Sequence, residues 1–198
     1  MAFDIAKEHL RKAGLEDRIY EFEVSSATVE LAAQAVGCEP ARIAKTLSFM
    51  ADQKAVLIVA AGDAKVDNHK YKEQFHTKAK MLSPDEVTEL VGHSVGGVCP
   101  FGVKEGVAVY LDESLKRFDV VYPACGSASS AVKLTIPELE TASGYLGWID
   151  VCKGWGKIVY NYSLIGKLIL VIWNRLFLLF HPWYTRRCLR QLIFYRYI

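Results

Sequence analysis

The stretch "KTLSFMADQKAVLIVAA" (45–61) constrains this chain most. Two apolar runs, 45–51 and 54–61, are separated only by the polar pair Asp52 and Gln53, which predicts two adjacent strands joined by a tight link. Further strand patterns stand at 18–24, 107–115 and 119–125, and helix patterns at 3–13, 25–37, 39–44, 62–75, 83–92 and 137–144. Strands and helices mix without strict alternation. The expected fold is therefore α+β: a mixed, mostly antiparallel, barrel-like sheet surrounded by helices.

The helix ends carry local chemistry. Gly14 and Gly37 stop the first two helices, and Ser26 or Thr28 caps the second. Pro40 opens a short helix over 39–44. "SPDEVTELVG" (83–92) reads as a clean helix, with Ser83 as cap, Pro84 at the first position, acids in the first turn and Gly92 after the end. The first twenty residues are amphipathic and lack an apolar signal core, so no secretory leader is expected.

Charge divides the chain. Residues 156–198 hold seven Lys and Arg and no acid; the remaining 17 cations face 22 acids, so a body of net charge −5 precedes a tail of +7. We expect a domain over 1–152 and a hydrophobic, basic helical tail over 153–198. Residues 158–180 are long enough to span a bilayer, but Lys167, Asn174 and Arg175 interrupt them, leaving a marginal span. Three readings stay open for the tail: a membrane-contacting helix pair, a helical hairpin or oligomer contact, and an accidental extension. The five cysteines form no CxxC pair, and the five histidines show no metal-ligand spacing. Neither a zinc site nor a disulfide framework is expected, no cofactor is called for, and a reducing cytoplasm suits the chain.

Four stretches carry candidate chemistry. Lys45, where a short helix hands over to a strand, is either a solvated charge or a point charge at a cleft edge suited to phosphate or carboxylate. The basic run Lys65, His69, Lys70, Lys72, His76, Lys78 and Lys80 is either a solvated helix face or a nucleic-acid patch. In "GGVCPFG" (96–102), Gly96, Gly97 and Pro100 shape a backbone surface whose N–H groups could hold a ligand carbonyl. Cys99 reads as a small, partly buried side chain; as a nucleophile it would need a base, and His93 stands nearby in sequence. "ACGSASSAV" (124–132) is a polar turn or a pocket wall; Ser127 and Ala131 stand where a GxSxG elbow centred on Ser129 would need glycines.

Taken in order, "ARIAKTLSF", "VLIVAAGDAKVD", "SPDEVTELVGHSVGGVCPFG", "VYLDESL" and "ACGSASSAVKLTIPEL" resemble the YbaK / prolyl-tRNA-synthetase-associated domain family over about residues 3–145. The resemblance implies a barrel-like α/β domain that hydrolyses mischarged aminoacyl-tRNA in trans, with prolyl-tRNA synthetase as the linked enzyme. It places the family lysine at Lys45, its GxxxP loop at Gly96 to Pro100, and its Gly-Ser loop at Gly126 and Ser129. In the family the lysine holds the terminal nucleotide, the glycine loop meets the aminoacyl end, and the substrate's own hydroxyl or thiol assists. Catalytic roles are accordingly expected for Lys45, Gly96, Gly97, Pro100 and Ser129. Substrate contacts are expected for Tyr20, Phe22, Thr46, Cys99, Phe101, Gly126 and Ser127, and tRNA contacts for Lys65, Lys70, Lys72, Lys78 and Lys80. Many members carry a His near the end of the first strand, where "EVSSAT" offers Ser25 and Ser26. An activated ester needs only positioning, oxyanion stabilisation and water, so no triad is required. The alternatives are a non-catalytic tRNA- or protein-binding module of the same fold, and a thiol enzyme built on Cys99.

Overall fold

A computed structural model describes residues 1–155; the tail expected over 153–198 lies, from residue 156, outside the described residues. In the described part the fold is mixed α+β, with the sheet curled into a half-barrel.

The hairpin predicted at 45–61 is its spine. β2 (Ile43–Ala51) and β3 (Lys54–Ala61) pair antiparallel along their whole length. Asp52 and Gln53 between them both take positive φ, the conformation a two-residue hairpin turn demands. From Ala55 to Ala61 every residue of β3 is buried, because β2 covers one edge, β6 (Ala108–Asp112) pairs parallel on the other, and both faces are packed. β10 (Gly147–Ile149) extends the sheet beyond β6. On the other edge of β2 lie β7 (Val120–Pro123), paired parallel, then β9 (Leu134–Thr135), and separately β5 (Lys80–Met81). β1 (Ile19–Glu21) pairs with β8 (Ser130–Val132), and a bridge from Ala124 to Ala131 ties β8 back to the end of β7.

The helices obey their caps. α1 (Ala2–Lys12) buries Ala6 and Leu10. α2 (Val29–Val36) is capped by Thr28, whose hydroxyl accepts the Leu31 N–H, and is closed by left-handed Gly37. α3 (Asn68–Phe75) follows the Asp67 cap after β4 (Lys65–Val66), and α5 (Ile136–Ser143) starts on a Thr135/Glu138 capping box. Phe49, Tyr71, Phe75 and Tyr110 stack in sequence, with centroids 5.1, 4.7 and 5.5 Å apart, and fix α3 on the sheet.

Three local readings differ. The expected helix at 83–92 keeps its Ser83/Glu86 capping box, but only Pro84–Glu86 (α4) is α-helical. Val87–Val91 widens into a π turn, where Lys104 takes up the carbonyls of Glu89 and Val91 and the Gly92 N–H reaches back to Val87. The strand expected at 18–24 is only three residues long, matching the short β8 opposite it. The strand expected at 107–115 ends at Asp112, which caps a 3₁₀ turn over Glu113–Arg117. A last strand, β11 (Cys152–Lys153), pairs antiparallel with β4.

Candidate functional site

The gap in the sheet makes the site. On the edge away from β3, β2 pairs with β7 only at Ile43 and Ala44 and with β5 only at Phe49 and Met50. Among the described residues, 45–47 therefore have no strand partner on that side, while Ser48 O accepts the Leu82 N–H (3.1 Å). A cavity of about 480 Å³ opens there, roofed by the start of α2 and the glycine loop.

Lys45 stands at this gap. Its ammonium donates to the carbonyls of Gly62 (2.9 Å) and Ala64 (2.5 Å), which the turn after β3 folds back over it. One N–H remains for a ligand. Burial pushes its pKa below the ordinary lysine value. Thr46 lines the same cavity, and its buried hydroxyl oxygen has no partner among the described residues. Among the lining residues only Lys45 and Tyr122 titrate, so no carboxylate, imidazole or thiol faces a ligand there.

The glycine loop reaches the cavity through Gly96 and Val98. The Gly97 N–H is spent on Ser94 O (3.1 Å) and the Cys99 N–H on His93 Nδ1 (3.3 Å). The N–H groups of Gly96 and Val98 have no acceptor among the described residues. Gly97 is needed for contact rather than φ: a Cβ would sit 2.7 Å from the Ser127 backbone, so the two expected loops are packed main chain to main chain. Pro100, Cys99 and Phe101 lie behind the cavity wall, buried. The Cys99 thiol does stand 3.8 Å from His93 Nδ1, but both are sealed in the core, and burial pushes the thiol up to about 12. A nucleophile needs the opposite on both counts.

The Gly-Ser loop contributes through neighbours of the expected residues. Ser130 and Ala131 line the cavity; Ser129 and Ser127 do not. The Ser127 hydroxyl donates to Ser130 Oγ (2.7 Å), which donates to Cys125 O (3.0 Å), so this chain is structurally committed. Ser129 accepts the Phe22 N–H through its carbonyl, and Gly126 lies against Ala2 and Phe3 of α1. Tyr20 pairs opposite Ala131 on an exposed strand, and Phe22 is half-buried; neither lines the cavity. In place of the histidine common in the resembled family, Ser26 lines the cavity, held by Ala128 O. Sequence reasoning gave no site role to Ser130, Val98 or Ser48, all of which line the cavity; the two-residue spacing of Thr46 and Ser48 on β2 is the signal that could have found Ser48.

The basic run is spread over β4, α3, a loop and β5 rather than one helix face. Lys65, Lys72, Lys78 and Lys80 are exposed. Lys70 is engaged by Asp150 (2.7 and 2.9 Å) and by Cys152 O (3.1 Å). No group of three or more His, Cys, Asp or Glu among the described residues could hold a metal, and none of their helices is long and apolar enough to cross a membrane.

This is a curled α+β domain with a cavity at a gap in its sheet, bordered by a half-buried lysine and by the glycine loop. The aminoacyl-tRNA editing domain family model matches residues 23–142, and the chain belongs to that family. The chain is 53% identical to the uncharacterized protein YwhH of Bacillus subtilis over 78% of its own length and 99% of that protein. It is 29% identical to the proline–tRNA ligase of Geobacillus sp. over 50% of its length, spanning 18% of the ligase. Among solved structures, one described as "a putative trans-editing enzyme for prolyl tRNA synthetase" superposes with a TM-score of 0.70 at 30% identity, covering 77% of this chain and 98% of that one.

Proposed function

We propose that the chain is a trans-acting deacylase that hydrolyses the ester of mischarged aminoacyl-tRNA, working in the cytoplasm beside prolyl-tRNA synthetase. The observation that carries this reading is the pairing, in one cavity, of a cation without a carboxylate partner and two main-chain donors without an acceptor among the described residues. Lys45 anchors the phosphate of the terminal nucleotide through its third N–H. The N–H groups of Gly96 and Val98 face the ester carbonyl and stabilise the oxyanion. Water adds to the carbonyl carbon, the bond to the ribose oxygen breaks, and the amino acid leaves as its carboxylate. With no side-chain base in the cavity, the proton from water reaches the departing ribose oxygen by way of the vicinal ribose hydroxyl. The family membership and the proline–tRNA ligase relatives support this substrate class. Lys65, Lys72, Lys78 and Lys80 supply salt-dependent attraction for the acceptor stem.

The test is deacylation across a panel of mischarged tRNAs, with Lys45→Ala alongside. Losing one charge-assisted hydrogen bond is worth about 1.5–3 kcal/mol, so kcat/KM should fall roughly 10- to 150-fold. Wild-type inactivity on every tRNA, or full activity in the variant, sinks the reading. Salt-dependent tRNA binding without ester cleavage would favour a binding module instead.

A further inference from the structure

Lys45 does not stand at the edge of one cavity; it forms the ridge between two. A second groove, of about 340 Å³, lies on its far side, bounded by β2, β4, the start of α3 and β5. Lys45, Leu47 and Met81 line both. The walls of the groove are apolar: Leu47, Phe49, Val66 and Met81. Met81 is 59% exposed. Two polar groups stand on its border. The Asn68 side-chain amide makes no hydrogen bond among the described residues, and Lys65 makes no ion pair among them. No acid lines the groove.

We infer that this groove is a subsite for the terminal adenine base of the tRNA. The inference rests on the deacylase reading of the first cavity. A 3′-terminal aminoacyl-adenosine has three groups diverging from one ribose: the ester, the 5′ phosphate and the base. With the ester under Gly96 and Val98 and the phosphate at Lys45, the base must leave on the other side of the ridge. A nucleobase has flat apolar faces and a polar edge. The faces suit Leu47, Val66 and the polarisable Met81 thioether. The edge suits the Asn68 amide, which donates and accepts at once and matches the amino group and ring nitrogen of adenine. Lys65, at the open end, meets the next phosphate along the strand. The groove thus reads the nucleotide, and the first cavity reads the amino acid.

Two measurements on the full chain test this. In an amide NMR titration with AMP, the signals of Val66, Asn68 and Ala79 should shift, and Asn68→Ala should weaken AMP binding roughly 10-fold or more. Met81→Ala, which removes a wall without touching the amide, should weaken it as well. In deacylation, wild type should prefer tRNA ending in adenosine over tRNA ending in purine riboside by roughly 10- to 100-fold in kcat/KM, and Asn68→Ala should treat the two alike. AMP shifts absent from the groove, or a preference unchanged by Asn68→Ala, overturn the subsite. If wild type cleaves no aminoacyl-tRNA, the deacylase reading falls, and the AMP shifts alone still decide the groove.

Discussion

Asp112 is wholly buried, yet its carboxylate is fully used. One oxygen accepts the Ser114 N–H (3.0 Å), and the other accepts those of Val151 (3.0 Å) and Cys152 (3.1 Å). It ties the end of β6 to the strand that closes the body against β4. Asp112→Ala should cost roughly 2–4 kcal/mol in urea unfolding, because three buried donors lose their acceptor. Hydrogen exchange at 151 and 152 should rise with it. His93 acts at the same scale with opposite chemistry. It is 1% exposed, its Nε2 has no partner among the described residues, and burial holds its pKa below the ordinary 6.5. The unfolded chain therefore binds the proton more readily, so stability is complete above that pH and falls as the pH drops through it. The unfolding free energy from urea titration should be smaller at pH 5.5 than at pH 7.5, by up to about 1.4 kcal/mol for the one unit below 6.5, and His93→Gln should flatten the difference.

At the scale of elements, the site depends on two loops held main chain to main chain. Gly97→Ala places a methyl 2.7 Å from the Ser127 backbone, which cannot move aside as a flexible side chain would. Overpacking of this kind costs roughly 1–3 kcal/mol. The displaced loop also carries the Gly96 and Val98 N–H groups away from the cavity. A lowered melting temperature together with a kcat loss larger than the KM change is the expected signature; wild-type kcat would separate the loop from the chemistry. The glycines themselves were legible in the sequence. Which of their N–H groups remain free was not, because that depends on Ser94 and on the ring of His93.

For the whole molecule, the described residues form one compact unit to Gly156. β11 and Trp155, whose ring lies 5.3 Å from the Arg117 guanidinium, complete it. Residues 1–155 expressed alone should be soluble and deacylate at close to the full-length rate, since every residue assigned to the cavity lies within them. A fragment that unfolds or loses activity would give 156–198 a part in the fold or the site.

The sequence by itself determined the hairpin over 45–61, the cap at Ser83, a cap at Ser26 or Thr28, and the resemblance that led to Lys45 and the glycine loop. These follow from local periodicity and backbone chemistry, which neighbouring residues carry between them. Only the tertiary structure decided that Ser130 rather than Ser129 faces the cavity, that Cys99 is sealed behind its wall, and that Lys70 is engaged by Asp150. Each of those depends on which side of a strand or loop meets a partner distant in the chain. A single residue's shift in register reverses that choice while leaving the composition of the segment unchanged.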